Sequence, residues 1–376
     1  MVKFHKPLYL GIEEKYVLDV IKRKSFSGKG YYYNKVINLL KNELKNPDII
    51  LTFSATTALE ISAFLLDINP GDEIIIPSFT YVSTANAFVK KGAKLIFVDI
   101  NPKTMNIDEN LIENAITKKT KAIVVVHYAG VSCNMDKINE IAKRHNIAVI
   151  EDAAHSLGSK YKNKPLGTFG DIGIYSFHET KNIHCGEGGA LIINNKNILK
   201  YDIDIFCEMG TDRKEFLEGK IEKYSWQDLG TKCNPDEFNT AFLYAQLLNL
   251  KEITEKRLNL WEKYYKLLLP LAEKNLIELP YIPEYCKHNA HIFYIKLKDK
   301  QERKNLMKFL KSKNIETAFH FIPLHSSPAG KKYGSFFGKD IYTTKESSRL
   351  LRLPLYFSLK DEEVEYIAKA IKEFFS

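Results

Sequence analysis

Cysteine is scarce and poorly placed for a scaffold. The five cysteines, Cys133, Cys185, Cys207, Cys233 and Cys286, are odd in number, widely spaced and form no CxxC pair. A disulfide framework, a zinc site and a dithiol couple are therefore excluded as readings, and no metal is expected. The pattern suits a reducing cytosol. No uncharged apolar run approaches the ~20 residues a membrane helix needs, and the stretch MVKFHKPLYLGIEEKY lacks the apolar centre of a signal peptide. A soluble, cytoplasmic protein with no membrane partner is expected. Repeats, low-complexity tracts and an Arg-rich arm are also missing. Basic residues outnumber acidic ones to leave a formal net charge of +9, but they are spread along the chain, as at Lys41 to Lys45, Lys118 to Lys121 and Lys308 to Lys313, with carboxylates among them. They read as solvated faces, and no nucleic-acid partner is expected.

What is present is a large apolar inventory. With 376 residues, 45% of them hydrophobic and 12% aromatic, the chain exceeds what a single core usually encloses, so two domains are expected. From Asp48 onward β-branched runs alternate with amphipathic stretches, the pattern of a parallel sheet wrapped by helices. Strands are predicted at Ile49–Phe53, Glu73–Ile76, Lys94–Val98, Ala122–Val126, Ala148–Ile150, Ile172–Ser176 and Ala190–Ile193, and helices at Thr56–Leu66, Ser83–Lys91 and Glu109–Ile116. Lys196–Leu229 reads as mixed helix and loop, and Glu237–Leu268 as one long helix. A strand at Ile292–Lys298, a helix at Lys300–Lys311, a short strand at Glu316–Phe319 and a helix at Glu362–Phe375 suggest a smaller α+β unit. The expected division is a large domain over 1–253, which includes an N-terminal helical segment, and a small one over 254–376.

Chemistry concentrates in EDAAHSLGSKYKNKPLGTFGDIGIYSFHETKNIHCGEGGA, Glu151 to Ala190. Ligands of open α/β sheets bind outside the C-terminal ends of the strands, and Glu151 and Asp152 follow such an end. Lys181 lies in a loop downstream, with a glycine cluster just after it. A strand-end carboxylate, a loop lysine and glycine-rich backbone are what a pyridoxal phosphate site could use: an anion for the pyridine nitrogen, an amine for the aldehyde, donors for the phosphate. A lysine alone would be one more surface cation, and Asp152 alone one more helix cap. For Lys181 it is ETKN, following a serine and preceding GEGG, that reverses those odds.

Asp152, Ser176, Lys181 and Gly186 to Gly189, with SFHETKN at Ser176 to Asn182, resemble the DegT/DnrJ/EryC1/StrS sugar aminotransferase family. The likeness continues through SATTAL at Ser54 to Leu59, PSFTYVSTANAFV at Pro77 to Val89, TMNIDENLIENAI at Thr104 to Ile116, VHYAGVSCNMD at Val126 to Asp136, FIPLHSSPAG at Phe321 to Gly330 and YTTKESSRLLRLPL at Tyr342 to Leu355, so nearly the whole chain takes part. The resemblance implies an aspartate aminotransferase-like α/β fold of type I, with a mostly parallel seven-stranded sheet, helices on both faces and a smaller C-terminal α+β domain. It implies pyridoxal 5'-phosphate as cofactor, L-glutamate as amino donor, a dTDP-4-keto-6-deoxyhexose as acceptor, and a homodimer with shared active sites. Lys181 would be the Schiff-base lysine and proton carrier, and Asp152 the partner of the pyridinium nitrogen. Ala55, Thr56 and Ser176 would hold the phosphate, Tyr81 would stack on the ring, and His155 would lie against it near the phenolic oxygen. Ala55 stands where the family has Gly, and Lys232 where it has an Asn donated by the partner subunit. Arg213, His320 and His325 are candidate contacts for the nucleotide sugar. Whether the amine formed is axial or equatorial, and at C4 or C3, stays open at this point. A dehydratase-type member would carry His in place of Lys181, and this chain has Lys.

Overall fold

β-branched runs between amphipathic stretches bury both faces only as strands covered by helices on either side. In the computed structural model, which describes residues 1–45 and 48–376, they do so. The strands are β1 (Ile49–Thr52), β2 (Glu73–Pro77), β3 (Lys94–Val98), β4 (Thr120–Val126) and β5 (Ala148–Asp152), then a short ribbon of β6 (Lys160–Tyr161) and β7 (Lys164–Pro165), then β8 (Ile172–Ser176), β9 (Gly189–Ile193), β10 (Cys286–Lys287), β11 (Phe293–Lys296), β12 (Gly334–Phe336) and β13 (Leu350–Leu353). Eight of them form the central sheet in the order β1-β9-β8-β5-β4-β2-β3-β12. Neighbours are parallel except at β9, which runs antiparallel to both β1 and β8.

Seven strands are expected from the sequence; the eighth is β12, whose Gly334 to Phe336 pair with Leu95 to Phe97. Three residues with a single large apolar side chain carry no readable period, so tertiary pairing alone makes this strand. Gly334 permits the pairing, because a Cβ there would stand 2.7 Å from the Leu95 carbonyl oxygen.

Helices α1 (Glu13–Arg23) and α2 (Tyr31–Leu44) precede the sheet, and α3 (Ala55–Leu65) and α4 (Val82–Val89) follow β1 and β2. A second apolar cluster joins the helices Leu250–Glu273, Lys300–Ser312 and Asp361–Phe374 to the antiparallel pair β11 and β13. Two expectations need correction. The stretch Glu237–Leu268 is not one helix but two, Glu237–Leu247 and Leu250–Glu273. The Asn249 side chain donates to the Ala245 carbonyl (2.9 Å) at the junction, a local bond that competes with the helical ladder. Glu316–Phe319 is not a strand: only Ala318 bridges to Arg352. Among the described residues no helix is long and apolar enough to cross a membrane.

Two features of the sheet set up the site. Side chains alternate along β5, so Glu151 and Asp152 face opposite ways. Glu151 is enclosed, accepting from His127 Nε2 (2.9 Å) and from the amides of Gly167, Phe169 and Gly170 (2.8, 2.6 and 2.6 Å). Burial alone would raise its carboxyl, but the His127 bond and the Gly170 and Gly167 amides outweigh it and hold it below the usual range. Glu151 is thus structural, and Asp152 is left for the other side. The reversal into β9 then needs a tight connection from β8. Phe177 N donates to Gly188 O (2.8 Å), Glu179 N to Gly186 O (2.8 Å) and Cys185 N to Phe177 O (2.9 Å), folding Phe177 to Gly188 back on itself with Lys181 in the middle.

Candidate active site

At the C-terminal ends of the parallel strands lies a cavity of about 990 Å³. Ser54 to Thr56 reach it from the start of α3, Tyr81 to Thr84 from the start of α4, Asp152 from β5, and Ser176 and Lys181 from β8 and its loop. His155, Arg257, His291, His320 and Arg352 complete the polar wall. Of the residues singled out in the sequence, Ala55, Thr56, Tyr81, Asp152, His155, Ser176, Lys181 and His320 therefore share one enclosure.

Each is held for a local reason. Ser54 caps α3, its Oγ accepting from Thr57 N (3.1 Å). The amides of Ala55 and Thr56 fall in the first helical turn, where no intrahelical acceptor exists, and the Thr56 hydroxyl bonds to Ser83 Oγ (2.8 Å). A helix start with free amides and hydroxyls suits a phosphate. Gly189 lets β9 pass against this turn, since a Cβ there would lie 2.4 Å from the Ser54 carbonyl carbon and 2.5 Å from the Ala55 nitrogen. Any side chain at 189 would displace the loop.

Asp152 is buried, with Oδ2 accepting from Thr84 Oγ1 (2.8 Å) and Oδ1 from Ala154 N (3.2 Å). The Thr84 proton is committed to the carboxylate, so Thr80 donates to Thr84 (2.9 Å). Burial pushes the Asp152 carboxyl up, and the Thr84 and Ala154 bonds oppose that rise. A buried anion raised this way gains from a cationic partner in the cavity. Lys181 is complementary. Its backbone N–H bonds to His178 O (2.9 Å) and its amine has no hydrogen-bond or ion-pair partner among the described residues. Burial lowers its pKa to about 8, with Asp152 opposing and Arg352 reinforcing.

The imidazoles are neutral. Burial, then Lys181 and His320, push His155 well below the usual histidine value, and its Nδ1 accepts from Ala129 N (3.3 Å), which puts the ring proton on Nε2. His320 is likewise pushed well down by burial and shares a 2.8 Å bond with the Tyr128 hydroxyl. Tyr81 is 60% exposed at the cavity wall, with Phe321 as its aromatic neighbour. Two sequence candidates lie elsewhere. Arg213 is exposed at the start of the helix Arg213–Leu217 and does not reach this cavity. His325 is engaged behind the wall, bonding Ser78 Oγ (2.7 Å) and pairing with Asp340 (3.1 Å). Lys232 is exposed, in the bridge that pairs it with Glu208.

Four residues went unnoticed in the sequence: Thr84, Arg257, His291 and Arg352. Thr84 carried a signal, being one turn into the helix after the predicted aromatic at Tyr81. Arg257 did not, because an Arg inside a long amphipathic stretch reads as solvated. It is in fact buried, donating to the carbonyls of Ala290, His291 and Leu355 (3.1, 2.9 and 3.2 Å).

This geometry yields a pH prediction. An amine with a pKa near 8 is half neutral at a pH where an ordinary lysine is almost fully charged. In cofactor-free protein, the rate of Lys181 acetylation should rise with pH and level off above about 8. Surface lysines in the same digest should still be rising toward their ordinary value, ~10.4. Peptide mass spectrometry across a pH series separates the two curves.

Residues 11–372 match the model of the DegT/DnrJ/EryC1/StrS aminotransferase family. The chain is 32% identical over 382 residues to a GDP-perosamine synthase of Escherichia coli O157:H7, covering 100% of this chain and 99% of that protein. It is 33% identical over 361 residues to a pleiotropic regulatory protein of Geobacillus stearothermophilus, covering 96% and 93%. Among solved structures, the Spr1654 protein of Streptococcus pneumoniae in its PLP form superposes with a TM-score of 0.87 at 26% identity, covering 99% of this chain and 98% of that one.

Proposed function

This chain belongs to the DegT/DnrJ/EryC1/StrS aminotransferase family, and we propose that it moves an amino group from L-glutamate to C4 of dTDP-4-dehydro-6-deoxy-D-glucose, giving dTDP-4-amino-4,6-dideoxy-D-galactose. The observation that carries the reading is one cavity holding an unpaired amine, Lys181, and a buried carboxylate fixed by hydrogen bonds, Asp152.

The residues present fit pyridoxal 5'-phosphate. The amides of Ala55 and Thr56, with the hydroxyls of Thr56 and Ser176, would hold its phosphate; Asp152 would face its ring nitrogen; Tyr81 and His155 would bracket the ring. When bound, the cofactor supplies an electron-withdrawing ring that stabilises negative charge on the substrate carbon bearing the nitrogen. Lys181 contributes an amine that is neutral at physiological pH for an appreciable fraction of the time, so Nζ can take a proton from one carbon and return it to another. Asp152 contributes a fixed anion. His155, being neutral with its proton on Nε2, donates a hydrogen bond without adding charge.

The choice of acceptor rests on the segments Pro77 to Val89, Thr104 to Ile116, Val126 to Asp136 and Tyr342 to Leu355, which resemble the dTDP-4-amino-4,6-dideoxygalactose transaminase of enterobacterial common antigen synthesis. We further propose a homodimer with shared sites. Trp226 is 81% exposed, and Met209, Leu217 and Leu229 on the same stretch are also exposed, an apolar surface that a second copy would cover. Arg213 lies on that stretch, which suits a contact with the partner's cavity.

Incubation of the protein with glutamate and the dTDP-ketosugar, followed by NMR of the product, tests the assignment. An axial C4 amine is expected; an equatorial C4 amine or a C3 amine would move the assignment within the family. The likeness to GDP-perosamine synthase favours one alternative acceptor, a GDP-linked sugar, and the same assay with the GDP-sugar decides between nucleotides. The likeness to the pleiotropic regulatory protein makes a binding protein without turnover the rival of another class. Purified protein that is colourless and takes up no pyridoxal phosphate would favour it.

A further inference from the structure

Two other arginines are already engaged. The Arg257 guanidinium is tied to three backbone carbonyls. Arg349, three residues before Arg352, is tied to Glu278 and Glu346 (both 2.6 Å). Arg352 differs. Its backbone is fully paired, with N donating to Ala318 O (2.8 Å) and O accepting from Ala318 N (3.3 Å), so the position of its side chain is fixed by β13. The guanidinium carbon lies over the Phe4 ring, 4.9 Å from its centroid. Yet its Nε is buried with no acceptor, and no other guanidinium nitrogen has a hydrogen-bond or ion-pair partner among the described residues.

We propose that Arg352 binds a carboxylate of the amino donor, and so selects the donor amino acid rather than the sugar. The proposal rests on the transaminase reading above and deepens it. A flat fork of unpaired N–H donors matches a carboxylate bidentately. Location separates this ligand from the other candidate anion, the sugar-linked diphosphate. Arg352 lines the same cavity as Lys181, and on β13 it stands opposite Tyr294, whose ring is 5.9 Å from the Tyr128 that bonds His320, which places it on the His320 and His155 side of the cavity, where the reacting groups gather. In an amino acid the α-carboxylate is one bond from the carbon that carries nitrogen. In a 4-ketosugar nucleotide the diphosphate is across the hexose from C4. An anion receptor beside the reacting amine therefore serves the first and not the second.

The test separates the two half-reactions of the holoenzyme in wild type, Arg352→Lys and Arg352→Met. Conversion of the cofactor by L-glutamate is followed by absorbance, and amination of the ketosugar by enzyme preloaded with pyridoxamine phosphate is followed by product release. Arg352→Met should raise the glutamate KM about 100-fold, the weight of a charged hydrogen-bonding pair, with Arg352→Lys recovering part of the loss. Sugar amination should stay within about threefold, as should turnover of a simple alkylamine donor, which has no carboxylate to lose. Calorimetric binding of glutarate, an unreactive dicarboxylate, should weaken in parallel. An unchanged glutamate KM, or an equal fall in both half-reactions, would overturn the proposal. If wild-type holoenzyme bound glutarate through Arg352 but aminated no sugar, the transaminase reading would fall and the carboxylate site would stand.

Discussion

Replacing Lys181 by methionine should cut turnover by at least ~10⁴-fold while leaving the fold intact. Methionine matches the length of the side chain and removes only the amine, and that amine makes no bond that the structure depends on. A buried ammonium without a partner is a cost to the folded state, so its loss should leave the melting temperature unchanged or raise it. Positioned proton transfer contributes ~10² to 10⁴-fold by itself, and among the described residues Lys181 is also the only amine lining the cavity that could hold an aldehyde covalently. The measurement is single-turnover absorbance with glutamate beside a thermal melt of the same sample. Retained turnover would remove the basis of the proposed chemistry; burial holds His155, His291 and His320 well below the usual histidine value, which makes them weak proton acceptors in place of the amine.

Some of this was legible in the sequence and some could not be. Lys94–Val98 and Ile172–Ser176 are strands with the predicted limits, since a short, mostly apolar run bounded by turn residues and buried over four consecutive positions is too short for a helix. Strand β12 and the break at Asn249 escaped, the first because pairing with Leu95 to Phe97 defines it, the second because one side-chain hydrogen bond does. The cavity residues that were found sit in short motifs dense with glycine and hydroxyls. Those that were missed, Arg257 and Arg352, come from a long helix and from the segment Tyr342 to Leu355, where a basic residue among apolar ones reads as solvated and only the tertiary fold buries it. Glu151 and Asp152 make the same point at one step of the chain. Both end a strand and both are buried, but alternation and the amides of Gly167, Phe169 and Gly170 turn one into a structural anchor and leave its neighbour facing the cavity.

Asp152→Asn should lower kcat by ~10² to 10³-fold, the range seen when a single preorganised electrostatic contact is removed, and should not destabilise the protein. The carboxamide keeps the shape: its oxygen can accept from Ala154 N while its NH2 donates to Thr84 Oγ1, whose hydroxyl then turns to donate to Thr80, so the substitution removes the charge and reverses one hydrogen bond without leaving a group unpaired. Burial has already pushed this carboxyl up, which means that the folded state disfavours its ionised form and that neutralising it relieves a penalty. Loss of activity with equal or greater stability marks a residue kept for function, whereas a structural Asp would lower both. The sign of the pH dependence follows. Because the raised carboxyl is protonated earlier as pH falls, affinity for a cationic ring nitrogen should weaken on acidification through that titration in wild type and stay flat in Asp152→Asn. Thr84→Val separates charge from alignment: it keeps the carboxylate but removes one hydrogen bond to it, and a fall of about tenfold is expected. If Thr84→Val cost as much as Asp152→Asn, orientation by α4 rather than the anion itself would be the larger part of what Asp152 supplies.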